Sequence, residues 1–289
     1  MSALLRNRLC AACLALLSMV SALGAHGSGT EPNVLSHEQL VYLYTDEGLV
    51  VIELAPFFAP QHVERFSQLV TSGFYDGLPF YRVIDGFVAQ GGDASGERET
   101  QYNKPLAPEF SRPNTSFKDA FTAIQTPAFL AESTGFIQGF PAGQSKTDDK
   151  QWLLHCPGAV AFARGNEANS ATTEFYIVIG QAPRHLDRNM SVFGQVVYGL
   201  DKVQRFLRGD ANVNGGVIDA DKPQTRIRRA VLGGQVAKEE RILLRRDAVN
   251  SEAFSNRITS ARSLDNPFYH YKGTGNIDVC YYRPRVSVN

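Results

Sequence analysis

Phe80-Tyr81-Arg82-Val83-Ile84-Asp85-Gly86-Phe87-Val88-Ala89-Gln90-Gly91-Gly92-Asp93 is the stretch on which the reading of this chain turns. Its first part, residues 78–90, is rich in β-formers and is interrupted by Asp85-Gly86, a turn dipeptide. Gly91-Gly92-Asp93 then closes the segment. A glycine pair suggests a phosphate loop only when Lys-Ser/Thr and an opening helix follow. Neither follows here, so the glycines read as a structural turn.

Upstream, residues 40–44 and 49–54 are β-rich and separated by Asp46-Glu47-Gly48, the pattern of a hairpin. Ala59-Pro60 opens a helix with Pro in its first turn, carried by Val63, Phe66, Leu69 and Val70 and ended by Gly73. Downstream, residues 94–157 lack periodicity and are rich in Gly, Pro, Ser, Thr and Gln, so a long loop is expected there, with Phe136, Phe140 and Trp152 to pack it. Strands are expected over 159–163, 174–179, 191–197 and 224–232, and helices over 200–207 and, in part, 238–262. Many short strands with two or three helices point to a β-barrel capped by helices.

Two further segments join the first. Gly158-Ala159-Val160-Ala161-Phe162-Ala163-Arg164 leads to Ser170-Ala171-Thr172-Thr173-Glu174-Phe175-Tyr176-Ile177, and His185-Leu186-Asp187-Arg188-Asn189-Met190-Ser191-Val192-Phe193-Gly194-Gln195-Val196 follows. Together and in this order the three resemble the cyclophilin family, across residues 38–232. The resemblance implies a mainly β fold: a closed, eight-stranded antiparallel barrel capped by two helices, with a long loop insertion. It divides the chain into an isomerase domain at 38–235, an insertion at about 94–157 and a C-terminal extension at 236–289.

The activity implied is cis–trans isomerisation of X–Pro peptide bonds, without cofactor or metal. Amide resonance sets a barrier of about 18–20 kcal/mol to this rotation. A catalyst must favour the twisted amide, whose prolyl nitrogen regains a lone pair, and a fixed cation beside that nitrogen does so. The resemblance gives this role to Arg82, with Gln90 holding it across the turn and Phe87 beside them. It gives Tyr176, Met190 and Leu186 to the proline pocket, Ala163, Arg164 and Val88 to the substrate path, and His185 to the groove rim. Several positions depart from the family pattern: Met190 replaces a histidine, His185 a tryptophan, Phe162 a methionine, Tyr176 a phenylalanine and Glu174 a glutamine. The competing reading is a non-catalytic module on the same scaffold that binds Pro-containing segments.

Composition sets the surroundings. Lys+Arg and Asp+Glu are both 29 in 289 residues, which argues against a general nucleic-acid binder. Arg6 and Arg8, an apolar run over 9–23, and the small residues Ala22, Gly24 and Ala25 read as a cleaved secretory signal over residues 1–25. The apolar run is shorter than the roughly 20 residues of a spanning helix. The expected location is the periplasm or another secreted compartment. The expected partners are X–Pro segments of unfolded or partly folded exported proteins, with no membrane span after cleavage. Cys156 and Cys280 remain after cleavage, either as a disulfide pinning the tail or as two buried thiols.

Overall fold

The computed structural model describes residues 33–117, 120–181 and 183–289. The secretory signal expected at 1–25 lies outside them. In chain order, β1 (Asn33–Val34) precedes a hairpin of β2 (Leu40–Thr45) and β3 (Gly48–Leu54), then helix α1 (Pro60–Thr71), β4 (Arg82–Val83) and β5 (Val88–Gly91). The insertion carries β6 (Arg112–Pro113), β7 (Phe121–Gln125), β8 (Ser133–Ile137), β9 (Phe140–Ser145) and β10 (Lys150–Leu153). β11 (Ala159–Phe162), β12 (Phe175–Val178), β13 (Val192–Tyr198), α2 (Leu200–Val203) and β14 (Ile227–Leu232) follow. The extension holds β15 (Leu244–Arg246), α3 (Glu252–Ser263) and β16 (Val286–Val288).

The main sheet has eight antiparallel strands in the order β14-β2-β3-β13-β11-β12-β5-β4. In β2 the period of two sends Val41 and Leu43 to the main core and Leu40 and Tyr42 to a second cluster with Leu35, Val51, Val236 and Leu244. That cluster lies beneath the small sheet β1-β15-β16. Both faces of the hairpin are therefore covered, which is why its sequence is almost continuously apolar rather than alternating. Helix α1 lays Phe66 against Tyr75, Phe175 and Phe193, with ring centroids 4.9–5.3 Å away.

The sheet is an open half-barrel, not the closed barrel expected. Its edge strands β4 and β14 form no continuous ladder. The segment 77–80 before β4 meets residues 225–227 at the start of β14 through a seam of three bonds, Gly77 N to Ile227 O at 2.7 Å, Ile227 N to Leu78 O at 2.9 Å and Phe80 N to Thr225 O at 2.8 Å. Two causes are visible. Pro79 supplies no N–H at the seam, and Pro is confined to such edges. The outer edge of β4 is already taken by the following loop, which bonds it through Gly209 N to Val83 O and Ile218 N to Tyr81 O, each 2.8 Å.

Three helices stand where the family resemblance implied two. α2 ends at Val203 rather than continuing to 207, because the chain turns to bury Phe206 against Phe80, 4.5 Å between centroids. Within 238–262, residues 244–246 form a strand and only the later part is helical. Ser251 caps α3 by accepting from Phe254 N at 3.2 Å.

The insertion is not a loop but a five-stranded antiparallel sheet ordered β6-β10-β9-β8-β7. Small residues hid it, and they are there for fit. A Cβ on Gly135 would lie 2.0 Å from Thr122 O, and one on Gly143 would lie 2.6 Å from the Trp152 indole. Phe136, Phe140 and Trp152 are buried in the common core, as expected. α3 covers this sheet through Phe254, 5.7 Å from Phe136. The Cys156–Cys280 disulfide is formed and ties the tail to the segment before β11.

The insertion also caps α1. Glu109 is buried and accepts from His62 N at 3.1 Å, Gln61 N at 3.4 Å, His62 Nδ1 at 2.7 Å and Arg112 Nη2 at 2.8 Å. Burial pushes its carboxyl up, but these donors together hold it below the usual range. Glu109→Ala uncovers the first turn of α1 and strands Arg112. It is expected to cost about 2–4 kcal/mol in urea unfolding, and a loss under about 0.5 kcal/mol, the scale of ordinary surface substitutions, would contradict this role.

Candidate active site

Strand register assembles the site. Arg82 pairs with Gln90 between β4 and β5, Gln90 with Tyr176 between β5 and β12, and Tyr176 with Ala161 between β12 and β11. Residues directly opposite in antiparallel strands share a face, so Arg82, Gln90 and Tyr176 form one transverse row. The turn between β4 and β5 then brings Phe87 back beside Arg82, with the guanidinium carbon 5.9 Å from the ring centroid.

Arg82 is held from two sides. Its Nε donates to Gly215 O at 2.8 Å and its Nη1 to Gln90 Oε1 at 3.3 Å. Gly215 lies in a tight turn with φ of 60°, and Gly216 next to it has no room for a side chain, since a Cβ would sit 2.4 Å from Ile84. Among the described residues no carboxylate lies within ion-pair distance of Arg82. A half-buried cation is thus fixed in place and left without a counter-ion.

Gln90 is oriented in turn. Its Nε2 donates to the Tyr81 hydroxyl at 2.5 Å, which fixes the carbonyl end of the amide toward Arg82. The Tyr81 phenol is set against the Glu174 carboxylate, and burial, then that neighbouring charge, raises its pKa. Neither Glu174 oxygen has a hydrogen-bond partner within bonding geometry. Burial, with a smaller contribution from the neighbouring Asp93 charge, pushes the Glu174 carboxyl up to about 7 against the opposing pull of the Tyr81 hydroxyl and the Asp93 N–H. Gly92 makes space for it: a Cβ there would meet Glu174 Oε1 at 2.3 Å.

The pocket side is supplied by Tyr176 and by the segment 183–190. His185 is exposed and its ring lies parallel to Phe87 at 6.1 Å, at the rim as expected. Leu186 and Met190 are partly buried and pack on the same core as Phe87 and Ala163. Below them runs a buried polar chain that the sequence reading did not anticipate. The Tyr176 hydroxyl is 3.0 Å from His155 Nε2, His155 Nδ1 is 3.0 Å from Asp187 Oδ1, and Arg184 Nε donates to Asp187 Oδ2 at 2.6 Å. Burial pushes Tyr176 up and His155 down, so both are neutral at ordinary pH. Burial also pushes Asp187 up, but His155 and Arg184 outweigh it and hold it ionised. The signal for this chain was the departure of Tyr176 from phenylalanine, because a buried phenol needs a partner.

Two expected substrate contacts read differently in the structure. Arg164 is occupied by loop carbonyls: Nε and Nη2 donate to Asn189 O at 3.0 and 2.9 Å, and Nη1 to Gly165 O and Asn166 O. It braces the loop after β11 to the turn that carries Met190. Val88 is 2% exposed, on the same side of β5 as Gln90 and opposite Val178. It supports the groove from within. Ala163 keeps a backbone bond, N to Glu174 O at 2.8 Å, at the end of β11.

An antiparallel half-barrel bearing a fixed arginine, its glutamine holder and an aromatic pocket defines a proline-rotating enzyme class. Residues 40–230 match the family described as "Cyclophilin type peptidyl-prolyl cis-trans isomerase/CLD". A probable peptidyl-prolyl cis-trans isomerase of Brucella suis is 32% identical over 218 residues, covering 75% of this chain and 93% of that one. Peptidyl-prolyl cis-trans isomerase B of Bacillus subtilis is 30% identical, covering 58% and 90%. The crystal structure of cyclophilin AquaCyp293 from Hirschia baltica superposes with a TM-score of 0.72 at 28% identity, covering 90% of this chain and 94% of that one. The chain belongs to the cyclophilin-type peptidyl-prolyl cis–trans isomerases and is an enzyme of that class.

Glu174 gives the site a measurable pH signature. Its folded pKa of about 7 lies above the ordinary 4.5. Between those values the folded state holds a proton that the unfolded state has lost, so the group destabilises the fold progressively as pH rises from about 4.5 to 7. Glu174→Gln is expected to be stabilising by roughly 2 kcal/mol at pH 8 and near neutral at pH 5 in urea unfolding. Equal effects at both pH values would show that Glu174 ionises normally.

Proposed function

We propose that this protein is an exported peptidyl-prolyl cis–trans isomerase acting on X–Pro bonds of unfolded or partly folded exported proteins, with Arg82 stabilising the twisted amide. The observation that carries the reading is the fixed, uncompensated guanidinium of Arg82 beside Phe87. A proline ring seated against Phe87, Met190 and Leu186 brings its nitrogen toward Arg82. As the C–N bond twists, resonance is lost and the nitrogen becomes basic. An N–H of Arg82 then donates to a lone pair that the planar amide lacks. The interaction is worth more in the twisted state than in either ground state, which lowers the barrier in both directions. Because Arg82 is already oriented by Gly215 and Gln90, little reorganisation accompanies the step. The Gln90 amide lies alongside to take a substrate backbone group.

No covalent bond forms or breaks, so no nucleophile is called for. Export is supported by the leader composition and by the Cys156–Cys280 disulfide, which suits an oxidising compartment.

The test is isomerisation of an X–Pro tetrapeptide followed by protease coupling or exchange NMR. Arg82→Ala is expected to lower kcat/KM by about a hundredfold or more, with the fold intact by circular dichroism. Binding of Pro-peptides without any rate above the uncatalysed one would establish the non-catalytic module instead. Cell fractionation with N-terminal sequencing tests export: a mature chain starting just after Gly24 or Ala25 is expected, and an uncleaved cytosolic chain would sink that part.

A further inference from the structure

Outside the isomerase row, the extension and the end of β13 line an open cavity of about 770 Å³. Four arginines line it, Arg246, Arg257, Arg283 and Arg285, against one carboxylate, Asp201. The charges do not cancel. Arg246 is paired with the buried Glu53 at 2.5 Å, which also accepts from Gln195. Asp201 is engaged by Lys202 at 2.8 Å and Arg205 at 3.8 Å. Arg257 donates through Nη2 to the carbonyls of Tyr282 and Arg283, and its buried Nε has no partner. Arg283 donates through Nη1 to Pro157 O at 2.7 Å. The guanidinium of Arg285 makes no hydrogen bond or ion pair among the described residues, and that residue is exposed. Asp247 meets Arg285 through two backbone bonds, its carboxylate accepting from Arg285 N at 3.4 Å and its N–H donating to Arg285 O at 3.0 Å, and it leaves the Arg285 guanidinium unpaired.

We propose that this cavity is a binding site for a multivalent oxyanion, a ligand bearing phosphate or carboxylate groups, with Arg257, Arg283 and Arg285 as its recognition elements. An arginine cannot shed its charge to relieve repulsion. Three guanidinium groups, bound at most to carbonyls, therefore raise a positive potential that a bound anion would neutralise. Arg forks match oxyanions in bidentate fashion, and two or three forks around one cavity favour a ligand with several anionic groups over a single small ion. The volume lies within the range of small-molecule sites. Burial, and then the nearby charge of Arg285, lowers the pKa of Arg257 against the smaller opposing pull of Asp247, which is consistent with repulsion between these two guanidinium groups. The disulfide at Cys280, itself a lining residue, holds this wall of the cavity against the main domain.

Calorimetric titration of the mature chain at low ionic strength tests the site, with tripolyphosphate in one arm and citrate in the other. Saturable one-to-one binding of at least one is expected, and the stronger arm identifies phosphate or carboxylate chemistry. Arg285→Gln and Arg257→Gln should each weaken it by about tenfold or more. Arg285 is exposed, so its variant is expected to fold and to keep the parent rate of X–Pro isomerisation. Arg82→Ala should bind the anion as the parent does. Absence of saturable binding in both arms, or equal affinity in the Arg285→Gln and Arg257→Gln variants, would overturn the proposal.

Discussion

The register of β4 against β5 and of β5 against β12 is the constraint from which the site follows. Side chains alternate along a strand, so a slip of one residue would send Arg82 and Gln90 to the opposite face. A two-residue strand such as β4 carries too few ladder bonds to hold register alone. The remaining restraint comes from outside the ladder. The loop at 209–218 bonds Val83 and Tyr81 on the free edge, and the same loop presents Gly215 O to Arg82. Openness of the half-barrel and precision of the arginine thus share a cause. The edge that would have closed the barrel instead receives the loop that orients Arg82.

Polar groups behind the groove form two chains of different character. One runs from Arg82 through Gln90 to Tyr81 and ends at Glu174, whose oxygens are unpaired. The other runs from Tyr176 through His155 and Asp187 to Arg184 and is bonded at each of these links, with Arg184 Nη2 alone left at its end without a partner among the described residues. Buried networks are stabilising only when each member is satisfied. The links of the second chain brace the wall behind Tyr176, and they make tyrosine tolerable where phenylalanine needs nothing. The first stores an unsatisfied carboxylate one residue from the core aromatic Phe175, which is buried against Phe66 and Tyr75. That placement gives Glu174 a protonation change near neutral pH that an exposed carboxylate would not show.

Local pattern revealed the main sheet well because its residues do one job each. The hairpin at 40–54, helix α1 and the strands around Phe162, Tyr176 and Phe193 carry apolar side chains at the period of their element, and turn residues bound them. The insertion escaped because its strands are chosen for close approach. Gly135, Gly143 and Pro141 pack where β-branched residues would collide, and composition then imitates a loop. Site residues on the short motif were legible for a similar reason: Arg82, Phe87 and Gln90 lie within one hairpin, where sequence distance is spatial distance. Gly215, His155 and Glu109 were not, since each reaches its partner across a long separation, as in the 133 residues between Arg82 and Gly215. Arg164 shows that a charged residue at a motif position can also be engaged by neighbouring carbonyls.

The boundaries suggested by sequence do not coincide with independent units of packing. Residues of the insertion and of α3 belong to the same buried cluster as the main sheet, through Phe136, Trp152, Phe254 and Ile258. Glu109 from the insertion caps the helix that lines the main core, and its own N–H donates to Ser191 Oγ, two residues before Phe193. The tail returns by the disulfide at Cys156, immediately after the His155 partner of Tyr176. Each of these ties ends within a few residues of a group that shapes the groove. The insertion and extension therefore act as buttresses of the isomerase site as well as surfaces in their own right, and loosening either is transmitted to the pocket through packing rather than through any moving part.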